Sequence, residues 1–269
     1  MTHVPRSRRI PTAAVLRIAL LAVGLSTPFA CTTPGTDLSR PEGDRDIAGR
    51  SEDSAPPPTI DNLIMLPGGI VVDRSAPEVR VPASTAIDVG WLEQVVCSRN
   101  TRDHEALFVV DVPPSAVHAA LLLIGLEPGS PGRWAFEEIE GTANVVVRRI
   151  PPVGDQVDIR VRYQSGDGTL RDHPVADWIV GDGGMREFPV VPWVFGGSFL
   201  SGPAGAAAYA ADRSGSLVGL VTFGDEVLGL ESVLSDQLSV DAAEWEVRTS
   251  AVLAPGTEVV LVFSPATGG

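Results

Sequence analysis

One stretch of this sequence gathers the residue types that could do chemistry: Cys97-Ser-Arg-Asn-Thr-Arg-Asp-His104-Glu105, with His118 following on the next apolar segment. A thiolate, two imidazoles and a carboxylate would suit Zn²⁺ or copper if Cys97, His104, Glu105 and His118 converged. The same residues could activate a nucleophilic cysteine, a histidine serving as base and Glu105 orienting it. The packing alternative needs less: a lone cysteine is among the residue types most often buried and inert. On that reading His118 is a core histidine bonded to a backbone carbonyl, and His104-Glu105 closes a turn. Six residues separate Cys97 from His104 and thirteen separate His104 from His118, a spacing that matches no ligand signature.

The other polar clusters offer less. Asp172-His173-Pro174 reads as a turn, Asp177-Trp178 as the start of a short strand, and Glu137, Glu138 and Glu140 as the solvated part of a loop. Gly181-Asp-Gly-Gly184 lacks the lysine of a phosphate-binding loop and the glycine spacing of a dinucleotide site. Calcium-loop spacing and a Gly-x-Ser-x-Gly elbow are also missing from the sequence.

The elements that must position these residues begin after a leader. Arg6, Arg8, Arg9 and Arg17 precede an apolar run over residues 18–25, and Ala30 stands before Cys31. The run falls short of the roughly 20 apolar residues that span a bilayer, so residues 1–30 read as a cleaved signal peptide. Ala30-Cys31 suits lipoprotein processing, with Cys31 the acylated residue and the membrane reached through that lipid anchor. The expected location is therefore outside the cytoplasm, in the cell envelope or periplasm. An acylated Cys31 leaves Cys97 with no intramolecular disulfide partner.

The chain has 34 acidic and 20 basic residues, a net charge of −14, and all of the basic residues are arginine. Loss of the leader removes four arginines and no acid. So acidic a chain is not built to bind nucleic acid, which requires clustered positive charge, nor to adhere electrostatically to anionic lipid. Residues 31–60, rich in Pro, Ser, Asp and Glu, read as the lipidated cysteine and a disordered tether. Residues 61–267 read as one domain.

That domain is expected to be α+β, predominantly antiparallel β-sheet with one buried helix and few short ones. Val157, Ile159, Val161 and Tyr163 alternate with Asp158, Arg160 and Arg162, the pattern of a half-exposed strand. Gly166-Asp-Gly168 marks a hairpin turn after it. Pro113 and Pro114 start a helix over residues 114–124, Gly125 caps it, and its almost wholly apolar surface predicts burial on most sides.

Three segments carry a family resemblance: Gly90-Trp-Leu-Glu-Gln-Val-Val-Cys97, His104-Glu-Ala-Leu107, and Val117-His-Ala-Ala-Leu-Leu-Leu-Ile-Gly125-Leu-Glu-Pro-Gly129. Asp177-Trp178, Pro192-Trp-Val-Phe-Gly-Gly-Ser198 and Pro255-Gly-Thr-Glu-Val-Val-Leu261 continue it in order. Over residues 88–265 the chain resembles the YdjY-domain proteins, exported bacterial proteins with no assigned biochemical activity. The resemblance implies an exported, often lipid-anchored domain and carries over no catalytic residue. Some members are labelled ferredoxin-like, but an iron–sulfur cluster needs four ligands, normally cysteines, and Cys97 stands alone here. A binding or interaction domain is the function expected first; the alternative is a metal-binding or thiol-dependent enzyme using Cys97, His104, Glu105 and His118.

Overall fold

The computed structural model describes residues 62–267 except 139, 140, 142–144, 204, 236, 238 and 239. The leader, Cys31 and the tether lie outside the described residues.

Eight strands close on themselves: β1 (Glu78–Thr85), β2 (Gln94–Ser98), β3 (Ala106–Val110), β4 (Gln156–Gln164), β5 (Trp193–Phe195), β6 (Ser216–Gly219), β7 (Leu228–Gly229) and β8 (Glu258–Pro265). Their order around the barrel is β1-β8-β4-β5-β7-β6-β2-β3, and β3 returns to β1 through Ser84↔Val109 and Thr85↔Phe108. The expected alternation is realised in β4, where Val157, Ile159 and Val161 are buried and face a core that also holds Val79, Val81, Leu261 and Phe263. Each inward-facing set comes from every second residue, as the pleat requires.

Two features go beyond the expected antiparallel sheet. The sheet is a closed barrel, which removes most free edges, and it is mixed: β2 pairs β3 in parallel, as β6 does β7. Parallel neighbours normally need crossovers of about a dozen residues or more. Here residues 99–105 and 220–227 suffice because carboxylates fold each return tightly. Asp103 accepts from the backbone N–H of Asn100 (3.1 Å) and Thr101 (3.0 Å). Glu226 Oε2 accepts from those of Phe223, Gly224 and Asp225 at 3.1, 2.8 and 3.1 Å.

The turn expected at residues 166–168 is present, and Gln164 pairs with Leu170 across it. Asp172 and His173 lie in the returning strand Leu170–Pro174 rather than in a turn. Asp172 is drawn there by the outward guanidiniums of β4, Arg160 at 2.7 Å and Arg162 at 2.9 Å. Trp178 closes a short 3-10 helix, Val175–Trp178, instead of starting a strand.

The helix α1 spans Pro114–Leu123, one residue short of the expected end, and Gly125 follows at φ +91°. Its burial is one-sided. Pro114, Val117, Ala120 and Leu121 face the protein, while Leu122 and Leu123 face solvent. Spacing of three and four residues selects the buried stripe, and α1 has the barrel on that side alone. A second short helix, α2 (Ala210–Ser214), sits beside it; Asp212 accepts from Ser115 N (2.8 Å) and Ser115 Oγ (2.6 Å).

A two-stranded hairpin, Arg133–Glu138 paired with Val145–Ile150, forms a sheet of its own outside the barrel.

Candidate functional site

Cys97 lies near the end of β2 and is 0% exposed, packed with Ala106, Val109 and Ala86. Its Sγ is 4.0 Å from Asp103 Oδ1. Burial pushes the thiol up, and the Asp103 and Glu105 carboxylates add to this against the opposing Thr101 hydroxyl and Arg102 N–H. The protonated thiol is a poor nucleophile and a poor ligand. His104 sits above it on the short turn Asp103–Glu105 with its side chain 79% exposed, its Nε2 3.6 Å from Glu105 Oε2. Glu105 is held by Arg102 at 3.2 Å, and that guanidinium lies 3.8 Å over the Phe223 ring.

His118 is engaged in a different set of contacts. Its Nδ1 lies 2.7 Å from Tyr209 Oη, and its ring meets Phe195 and Tyr209 edge-on. Tyr209 donates its hydroxyl proton to Gly197 O at 2.6 Å, so its oxygen accepts from His118 Nδ1–H, which fixes the neutral tautomer. Burial holds the imidazole pKa below its usual range. Gly197 is at φ +83°, and a Cβ there would come within 2.6 Å of Pro128 Cβ and 3.1 Å of His118 Cε1. The group therefore ties α1 to the loop after β5 and to Tyr209.

The structure thus brings His104 beside Glu105, and Cys97 beneath the same turn, while His118 answers to Tyr209. Among the described residues, no three His, Cys, Asp or Glu side chains assemble into a metal-binding group. Native Cys97 is accordingly expected to react slowly with a thiol reagent near neutral pH, and His118→Gln, which keeps a donor toward Tyr209, should leave that rate unchanged. Fast labelling of the folded protein that changes in His118→Gln would support a site that joins Cys97 to His118.

The run Val145-Val-Val-Arg148 predicts a strand, and Val145–Ile150 is one; the feature missed in the sequence is its partner, Arg133–Glu138, and with it the hairpin. Glu137 and Glu138 stand in its first strand, whereas Glu140 is outside the described residues. Across the register, Trp134, Phe136, Val145 and Val147 share one face. Phe136 is 55% exposed, and Val145 and Val146 are about as open. The base is fastened to the body: Trp134 Nε1 donates to Thr222 O (3.1 Å), and Arg149 donates to Val233 O (2.6 Å) and to both Asp241 oxygens (2.8 and 2.6 Å). Trp134 packs edge-on against Phe136. The alternation of Trp134 and Phe136 with Arg133, Ala135 and Glu137 is the signal that could have revealed it.

A family model for the YdjY domain matches residues 70–264. The chain belongs to the YdjY-domain family. The match takes in almost the whole barrel, α1 and the hairpin, so the arm lies within the YdjY domain. Neither the curated proteins nor the solved structures contain a match to this chain.

On the barrel wall of this YdjY domain, a groove of about 470 Å³ is lined by Ser84, Arg99, Asp111, Arg162, Tyr163 and Glu258 among others. Its cations are already engaged, Arg99 with Asp111 (2.6 Å) and Arg162 with Asp172 (2.9 Å). Exposed aromatic surface on a fastened arm is therefore the stronger recognition feature.

Proposed function

We propose that this YdjY-domain protein is an exported, lipid-anchored binding module of the cell envelope that engages a protein partner through its hairpin arm. The observation that carries this reading is the exposure of Phe136, Val145 and Val146 on strands whose base is hydrogen-bonded to the body. Apolar side chains held in place on a rigid element lose little entropy on binding, which suits recognition. The apolar run over residues 18–25 and Ala30-Cys31 support export and acylation. The acidic surface leaves membrane attachment to the acyl chains.

Two measurements test the two halves. Cys31→Ser should move the protein from the detergent phase to the aqueous phase of an envelope extraction; wild type found wholly in the aqueous phase would remove the anchor from the proposal. A photo-crosslinking side chain at position 136 should give a discrete adduct in intact envelopes. One at position 170, also exposed but on a different strand, should not. If position 136 gives no adduct, the arm is not the engagement surface.

A further inference from the structure

The arm's first strand, Arg-Trp-Ala-Phe-Glu-Glu over Arg133–Glu138, has one ladder partner, Val145–Ile150, on one edge. Among the described residues, no strand pairs its other edge. Arg133, exposed at one end of the strand, makes no ion pair among the described residues, and Glu137 and Glu138 stand at the strand's other end. Such an edge is a template for another strand.

We propose that the partner of this edge is a second copy of the same chain, the two 133–138 strands pairing antiparallel about a two-fold axis at Ala135. This inference rests on the arm being the engagement surface and names what it engages. The residue order selects the register. With Ala135 opposite its symmetry mate, Arg133 of each copy faces Glu137 of the other, giving two ion pairs on one face. On the opposite face Trp134 of each copy meets Phe136 of the other, giving two aromatic pairs. Directly opposed residues in an antiparallel pair share a face and interact at about 5 Å.

Neighbouring registers fail on identifiable grounds. A one-residue slip puts the aromatic faces of the two copies on opposite sides of the four-stranded sheet. Moving the axis to Phe136 sets Trp134 against Glu138 and Ala135 against Glu137, and moving it to Trp134 leaves Glu137 without a partner. A two-fold contact must be self-complementary, and the Ala135 register alone satisfies charge and aromatic pairing together. Glu137 already holds Arg148 at 2.8 Å. In the dimer it lies between that guanidinium and Arg133 of the second copy. The contact is small, so the association is of the weak class. Two copies anchored in one membrane would gain from their high effective concentration.

The test uses the full exported chain carrying Cys31→Ser, in sedimentation velocity from about 1 to 300 μM, the range in which a small interface associates. Wild type should pass from monomer to dimer. Arg133→Glu alone and Glu137→Arg alone each place like charges opposite one another twice, and should weaken the dimer at least about tenfold. An equimolar mixture of the two variants restores both ion pairs between unlike copies and should dimerise again. That recovery also shows that both variants fold. Wild type that stays monomeric, a dimer indifferent to both substitutions, or a mixture no more associated than its components would each overturn the proposal. The position-136 crosslink separates this failure from that of the wider reading: an adduct of twice the chain mass supports self-pairing, whereas an adduct of any other mass keeps the arm as a binding surface but refutes the second copy.

Discussion

Leu121→Ala is expected to lower the unfolding free energy by about 2–5 kcal/mol, the range for deleting a large buried aliphatic side chain, while Leu122→Ala should change it by under about 0.5 kcal/mol. The residues are adjacent and chemically identical, so helix propensity cancels in the comparison. Leu121 is 0% exposed in the stripe with Val117 and Ala120, whereas Leu122 is 46% exposed. Truncating Leu121 leaves a cavity among neighbours held by a closed barrel, which has little freedom to collapse into it. Urea unfolding of the two variants, read at constant slope, measures the difference. Equal costs would mean that α1 is buried on both sides, as its apolar sequence alone suggests, and that the one-sided packing is wrong.

Local pattern carried much of this fold. The alternation from Val157 to Tyr163 gave β4, and Pro113, Pro114 and Gly125 bounded α1 within a residue. What local pattern could not carry was closure. The contact of Ser84 and Thr85 with β3 depends on where two distant strands end. The parallel returns were hidden because residues 99–105 and 220–227 look too short to cross over. They succeed through Asp103 and Glu226, acidic residues in loops that resemble any solvated turn. The chemical segment was legible as composition and misleading as geometry. Cys97 lies near the end of a strand, beneath the turn that carries His104, yet one is sealed and the other in water. His118 finds Tyr209 across 91 positions, a separation no spacing rule reaches. The arm was obscured by its glutamates, which signal solvent exposure and do not distinguish a strand edge from a loop.

Glu226 supplies the other large expected effect, through pH. Its side chain is 2% exposed, and burial pushes its pKa up to about 7 from an ordinary 4.5. Backbone N–H groups, among them those of Gly224 and Asp225, pull the other way and do not offset the loss of solvent, and the neighbouring Asp225 charge adds to the rise. Below about pH 4.5 the carboxyl is protonated both folded and unfolded, and its stabilising contribution is fully present. Between about 4.5 and 7 the unfolded chain releases this proton while the folded protein keeps it, so stability falls as pH rises, by about 3 kcal/mol in total. Other groups act at the same time. His118, with its lowered pKa, favours the folded state as pH rises. The carboxylates Asp172 and Asp241, held low by their arginines, matter mainly in more acid solution. Glu226→Gln cancels these contributions in comparison, because its amide oxygen still accepts from Phe223, Gly224 and Asp225 but does not titrate. Unfolding free energies at pH 4.5 and pH 7.5 should therefore show wild type losing about 3 kcal/mol relative to Glu226→Gln between the two. Parallel pH profiles for the two proteins would show that the carboxylate is ionised in the fold at an ordinary pKa, with its three N–H donors outweighing burial. The return from β6 to β7 would then be held by an ionised carboxylate across the whole range.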